Sequence, residues 1–204
     1  IVHTGIGKIN AGYKTALAIQ QYKPHLVVNF GSCGSFSLET GTLVEVKDVY
    51  NGDMDAEPIV PYSITPFDKF GGHLHISASG VSCFTSETFI TEDKTFEFSQ
   101  KKLELLQKCP IFEMELYSIV KVCKEFDIPV VAYKWVSDDG EASDWKENAK
   151  IGYKKFQEEL ASRGYATDAT GKLGKVTTEL SDAHKKELDI LDAKIRKDLP
   201  LSFK

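Results

Sequence analysis

Short apolar runs alternate along the chain with segments in which apolar residues recur at helical spacing. Residues 26–30 and 129–133 are short, continuous and rich in β-branched side chains, as expected of strands buried on both faces. Within residues 115–126, apolar side chains recur at i, i+3, i+4 and i+7, which predicts an amphipathic helix with one buried face. The alternation predicts an α/β fold in which helices flank a mixed, mostly parallel central sheet.

Turn residues bound the other predicted elements. An alanine-rich helix is predicted over residues 10–21, and further strands over residues 42–49 and 74–79. Residues 31–35 contain two glycines, so we expect a loop there that permits close approach of the backbone. Prolines and a pair of adjacent glycines predict a second loop over residues 58–72.

The character of the sequence changes after Tyr165, and the change predicts two regions. Residues 1–165 carry the α/β pattern, whereas residues 166–204 are expected to form a linker and a charged C-terminal helix of unknown role. That helix is predicted over residues 181–197, with Ser181 as its N-cap.

Composition narrows the possible functions. The 204 residues include 30 acidic and 25 basic side chains, giving a formal net charge of -5, with no long run of either sign. We therefore expect a small-molecule partner, and neither a nucleic acid nor a membrane surface. No apolar stretch approaches the roughly 18 residues of a membrane span. The four cysteines lack C-x-x-C spacing, which favours reduced thiols and a cytoplasmic location.

Two carboxylates lie where chemistry is expected. Glu115 directly precedes the predicted amphipathic helix, and Asp138 lies at the carboxyl end of the following strand, the edge at which open parallel sheets bind ligands. A carboxylate at a helix start is stabilised by the helix dipole and can accept two hydrogen bonds from a vicinal diol, which suits a ribose. A protonated Asp138 could donate to a leaving base.

Position alone leaves plainer interpretations open. An acid after a strand is often a helix N-cap, and residues 137–140 could form a simple turn. Cys33 is expected to be a packing residue, since no histidine partner is indicated. His73 and His75 alternate along a predicted strand and could share a face, but matching ligands elsewhere are lacking. We expect neither a metal nor a cofactor.

Six short motifs, read in order, favour a functional interpretation of these carboxylates over the plainer ones. Each motif is weak alone, but six in sequence over about residues 1–160 resemble the nucleoside phosphorylase/nucleosidase family, most closely its methylthioadenosine/S-adenosylhomocysteine nucleosidase branch. The motifs are Gly5–Ala11, Asn29–Gly34, Asp53–Ala56, Thr85–Phe89, Phe112–Glu115 and Val136–Asp138.

The resemblance implies how the sugar and the nucleophile would be held. Glu115 would bind the 2′- and 3′-hydroxyls of the ribose, Met114 would pack beneath the sugar, and Glu113 would support them. Ser32, in the glycine loop that includes Gly34, would position the nucleophile.

The resemblance also implies how the base would be held. Asp138, held by Ser137, would protonate N7 of the purine, so that the base leaves neutral while the ribose becomes oxocarbenium-like. Phe89 would stack on the purine, and the backbone of Ile90 would read its edge. Ser86 and Glu87 stand where the family has glycine and aspartate, so the base preference could be altered.

The nucleophile could be water or phosphate. Phosphorylases of this family bind phosphate with arginine, and this chain has two arginines, Arg163 and Arg196, at or beyond the end of the resemblance. Lys8 is expected to belong to a helix entry and Lys47 to a solvated strand face. The sequence therefore favours a nucleosidase that hydrolyses adenine-type nucleosides, with a purine nucleoside phosphorylase as the alternative.

A third interpretation is a catalytically impaired nucleoside-binding protein. In the family, a first strand and the glutamate that activates water precede the motif that begins at Gly5, and here Ile1–Thr4 alone precede it. We therefore expect the sheet to lack the usual first strand. The resemblance further implies a homodimer or larger homo-oligomer.

Overall fold

The computed structural model describes residues 2–140 and 142–162, and those from Thr4 onward belong to one compact unit, Thr4–Leu173. The linker and charged helix predicted over residues 166–204 lie outside the described residues, as do Arg163 and Arg196.

Helices and strands alternate through most of the described chain. The helices are α1 (Lys8–Tyr22), α2 (Glu92–Thr95), α3 (Gln100–Leu106), α4 (Leu116–Glu125) and α5 (Ala142–Ser162). The strands are β1 (Val27–Gly34), β2 (Leu43–Asn51), β3 (His73–His75), β4 (Val81–Thr85), β5 (Ile111–Glu113) and β6 (Val130–Asp138).

The strands form a single mixed sheet that closes on itself. Their order is β3-β2-β4-β5-β1-β6, and β6 pairs back onto β2. The pairings β1–β6, β2–β4 and β4–β5 are parallel, whereas β1–β5, β2–β3 and β2–β6 are antiparallel. Five strands therefore make a ring, and β3 is attached to the outside of β2.

Helices cover the sheet, as the hydrophobic pattern predicts. Helices α1 and α4 pack against each other and contribute to the main apolar core, in which Ala11, Leu116 and Val120 are fully buried. Helix α5 packs on β1 and β6, where the rings of Phe30 and Phe156 stack with centroids 4.1 Å apart. The predicted α/β architecture with a mixed sheet and flanking helices is confirmed.

Two strands extend further than the sequence indicates, and both extensions matter for the site. The prediction of a loop over residues 31–35 is wrong for residues 31–34, because β1 continues to Gly34 in parallel register with β6. The simple turn considered for residues 137–140 is likewise wrong for its first half, since Ser137 and Asp138 belong to β6. A continuous parallel ladder supplies backbone partners that local turn propensity cannot anticipate.

The remaining predictions differ from the structure mainly at element ends. Helix α1 begins two residues before the predicted start. The strand predicted over residues 74–79 is wrong beyond His75, where β3 ends. Residues 58–72 contain neither helix nor strand, as expected. Within the described ranges, no helix is both long and apolar enough to cross a membrane.

Candidate functional site

Three strand ends meet at Gly34. This residue is in register with Phe112 of β5 on one side and with Asp138 of β6 on the other. A Cβ atom on Gly34 would lie 2.3 Å from the Phe112 ring and 2.9 Å from Oδ1 of Asp138. Because neither distance leaves room for a methyl group, glycine is what allows the aromatic ring and the carboxylate to meet here.

Asp138 is held by residues adjacent to it in the chain. Its Oδ2 accepts a hydrogen bond from the Ser137 hydroxyl at 2.8 Å, and its Oδ1 accepts one from the Gly140 amide at 3.1 Å. The residue is only 3% exposed. Asn148 of α5 donates to the Ser137 carbonyl at 2.9 Å, which ties the helix to the strand end. The carboxyl group is therefore fixed in orientation at the edge of the sheet.

Glu115 lies at the N-cap position of α4, but its side chain does not cap that helix. Instead, its Oε1 accepts a hydrogen bond from the Gly7 amide, just before α1, at 2.9 Å. Burial and the nearby Glu113 carboxylate raise the pKa of Glu115, while Lys134 and the Gly7 amide oppose that rise. The backbone donor to Glu115 therefore comes from the residue before α1, whereas the sequence indicated the start of α4.

Glu113 caps α4 in place of Glu115. Its Oε2 accepts from the amides of Glu115 at 3.0 Å and Leu116 at 2.8 Å. The same oxygen accepts from the ammonium group of Lys134 at 2.8 Å, and both side chains of this ion pair are 1% exposed. Glu113 therefore lies beneath the candidate site, while the Met114 side chain between the two glutamates is half-buried.

Sequence reasoning missed Lys134. The residue lies in β6 and is surrounded along the strand by Tyr133, Trp135 and Val136, all of them buried. A lysine inside an apolar strand requires a buried partner, and that requirement was the signal available in the sequence.

The segment implicated in base binding lies beside the loop that follows Asp138. Ile90 is buried and packs with Phe84 and Phe112, whereas Phe89 is half-buried. A Cβ atom on Gly140 would lie 3.5 Å from the Ile90 carbonyl oxygen. The fold therefore places the segment Phe89–Ile90 beside Gly140, two residues after Asp138.

A polar network fixes the start of that segment. Asp53 accepts from Lys8 at 2.7 Å and from Lys102 at 2.9 Å, and also from the Ser86 hydroxyl and the Glu87 amide. Burial alone would raise the pKa of Asp53, but these donors lower it to about 2. The lysine expected at the helix entry is the first residue of α1, and its ammonium group is engaged with Asp53.

The other candidate residues lie in strands β1 and β3. Ser32 lies in β1 in register with Trp135. Cys33 is 3% exposed, and burial raises the pKa of its thiol, which fits a packing residue. His73 and His75 do share a face, where both imidazoles contact Oδ1 of Asp48, at 2.9 Å and 2.8 Å. Among the described residues, no group of three or more histidine, cysteine or acidic side chains could hold a metal ion.

The described part of the chain thus has a closed mixed sheet with one acidic side chain, Asp138, at a strand end and another, Glu115, at the start of a helix. The sequence profile of the Phosphorylase superfamily matches residues 1–163, and the chain belongs to this family.

Individual relatives of the chain carry a more specific name than the family does. The chain is 27% identical over 169 residues to the 5′-methylthioadenosine/S-adenosylhomocysteine nucleosidase of Buchnera aphidicola, covering 76% of this chain and 71% of the relative. It is 29% identical over 191 residues to the nucleosidase of that name from Halalkalibacterium halodurans, covering 85% and 80%. A nucleosidase structure from Colwellia psychrerythraea, solved with adenine, superposes with a TM-score of 0.68 at 21% identity, covering 80% of this chain and 77% of that one. This last likeness concerns the fold.

Proposed function

We propose that the chain is a purine nucleosidase that hydrolyses the N-glycosidic bond of adenine-type nucleosides, with methylthioadenosine-like or S-adenosylhomocysteine-like substrates. The observation that carries the proposal is the placement of Asp138 at the end of β6 and of Glu115 two residues after the end of β5, on either side of β1, each oriented by hydrogen bonds. The names of the relatives support the substrate class. The region responsible is the α/β part of the chain, proposed as residues 1–165.

Glu115 is proposed to bind the ribose. One of its carboxylate oxygens faces the Gly7 amide, and the other can accept from a vicinal diol. Met114, half-buried beside it, would pack beneath the sugar. Ser32 and Gly34, on the strand that runs between β5 and β6, would position the nucleophile.

Asp138 is proposed to protonate the departing purine at N7. Ser137 and the Gly140 amide fix the carboxyl group, so that a proton can be delivered to a base lying against Phe89 and Ile90. Because positive charge develops on the sugar and negative charge on the base, an acid at one end and a carboxylate at the other would both favour the transition state.

Water is proposed as the nucleophile rather than phosphate. A phosphate dianion needs cations that are free to bind it, and the chain's two arginines, Arg163 and Arg196, lie at or beyond the end of the family match at residue 163. Two lysines near the site are already engaged, Lys8 with Asp53 and Lys134 with Glu113. A phosphorylase is the alternative that the same assay tests.

The test is a small nucleoside panel, with methylthioadenosine, S-adenosylhomocysteine, adenosine and inosine, incubated with and without phosphate. We expect phosphate-independent release of adenine and a free reducing sugar, measured by chromatography. Release of a sugar 1-phosphate only when phosphate is present would establish the phosphorylase. Binding of nucleosides without turnover would establish the catalytically impaired alternative.

One further proposal concerns the assembly state of the chain. The chain is proposed to form a homodimer or larger homo-oligomer, which sedimentation would test.

A further inference from the structure

Lys134 and Glu113 form a buried ion pair directly beneath the candidate site. Their charged atoms are 2.8 Å apart, and each side chain is 1% exposed. Burial of a charged group is costly unless it is paired and hydrogen-bonded, so a pair this deep requires a structural reason for both members.

The carboxylate of Glu113 organises the first turn of α4. Its Oε2 accepts from the amides of Glu115 and Leu116, and its Oε1 accepts from the Thr85 hydroxyl at 2.5 Å. That hydroxyl in turn accepts from the Tyr117 amide at 3.0 Å. Three consecutive amides that have no partner within the helix are therefore satisfied by one carboxylate and one hydroxyl.

The ammonium group of Lys134 holds this carboxylate in place from β6. Lys134 lies four residues before Asp138 on the same strand. A Cβ atom on Gly31 of β1 would lie 3.1 Å from the Lys134 Nζ. Burial alone would lower the pKa of Lys134, but the Glu113 carboxylate raises it above its ordinary value. The lysine is therefore a cation, and it connects the strand of Asp138 to the helix start that carries Glu115.

We propose that Glu113 and Lys134 are positioning residues that fix Glu115 relative to Asp138, and that Lys134 supplies the positive charge that the adjacent carboxylates of Glu113 and Glu115 require. The catalytic part of this inference rests on the proposed function, and the electrostatic part does not. Charged and polar groups reach Glu115 from several elements: Glu113 from β5, Lys134 from β6 and the Gly7 amide ahead of α1. Lys8 follows Gly7 in the chain, and its amide donates to the Glu87 carboxylate at 2.8 Å.

The first experiment measures kcat, KM and the pH profile of kcat/KM for K134R, K134M and the double variant E113Q/K134M. We expect K134M to lose about 100-fold in kcat/KM at neutral pH, mostly in kcat, because small misplacement of a positioned group has an effect of that order. Its acidic limb should move to higher pH, since two carboxylates without a cation bind their first proton more readily. K134R should retain the wild-type profile and most of the rate.

The double variant separates positioning from folding. It leaves no unpaired buried charge, so it should fold even if K134M does not, and it should still show the loss in kcat. The control is K69M, which removes an exposed lysine paired with Glu125 and should behave like the wild type. Wild-type kcat/KM in a folded K134M or in the double variant would overturn the proposal.

A second readout is independent of turnover. In protein labelled with ¹³C at the glutamate carboxyl carbons, a pH titration should place proton uptake by the Glu113–Glu115 pair at higher pH in K134M than in the wild type, with E115Q providing the assignment. An unchanged titration would overturn the electrostatic role. If the wild type releases no base from any nucleoside, the proposed function fails while this titration still decides the inference.

Discussion

The two carboxylates of the site are oriented in opposite ways. Asp138 accepts side-chain hydrogen bonds from residues one and two positions away, the Ser137 hydroxyl and the Gly140 amide. Glu115 accepts from Gly7, which is 108 positions away in the chain, and depends on Glu113 for the helix start beneath it. Asp138 thus has donors close to it in the chain, whereas the surroundings of Glu115 are assembled from the start of α1, from β5 and from β6. Variants should therefore affect the two carboxylates differently.

The largest effect is expected from D138N. The amide cannot deliver a proton to the purine, yet it preserves the shape that packs against Gly34, so the protein should fold and lose about 1000-fold in base release. The measurement is adenine release under substrate saturation. D139N, which changes the adjacent exposed acid, is the matched control and should retain activity. Hydrolysis by D138N at the wild-type rate would contradict the assignment of Asp138 as the acid.

A smaller effect is expected from E115Q. Loss of a charged acceptor for the ribose hydroxyls should lower kcat/KM by about 10- to 100-fold, the range of one or two charge-assisted hydrogen bonds. A substrate without the 2′-hydroxyl sharpens the test, because the wild type should discriminate against it and E115Q should not. Equal discrimination by both proteins would mean that Glu115 does not contact the sugar.

The smallest effect is expected on stability, from G34A. The added methyl group would overlap the Phe112 ring and press on the Asp138 carboxylate, so we expect unfolding free energy to fall by about 1–3 kcal/mol. Urea denaturation measures this loss. G71A is the control, since a Cβ atom there would have its nearest neighbour 3.9 Å away, at the His73 amide. Equal stability of the two variants would show that the strand ends can separate without cost.

The same contrast explains what could be predicted from sequence. Asp138 could be proposed as a candidate because it ends an apolar strand that is contiguous in the chain. The α/β architecture and the helix that follows Glu115 were also predicted, since their apolar periodicity is local. The prediction failed at residues 31–34, where glycine and serine suggested a loop but pairing with β6 extended the strand.

Tertiary contacts account for what was not predicted. The buried position of Lys134 depends on a carboxylate 21 residues away in the chain, and the donor to Glu115 depends on the packing of α1 beside α4. The network on Asp53 likewise collects Lys8 and Lys102 from opposite directions along the chain. Spacing in the sequence can indicate such residues, but it does not show which of them contact each other.

The closed sheet also bears on aggregation through exposed strand edges. Each strand of the five-membered ring has two neighbours, and among the described strands only β3 (His73–His75) has one. A free strand edge invites pairing with another chain, but this edge is three residues long and presents two exposed imidazoles that turn back to Asp48. Such an edge offers little template for intermolecular strand addition, so aggregation through the described part of the sheet would first require the ring to open.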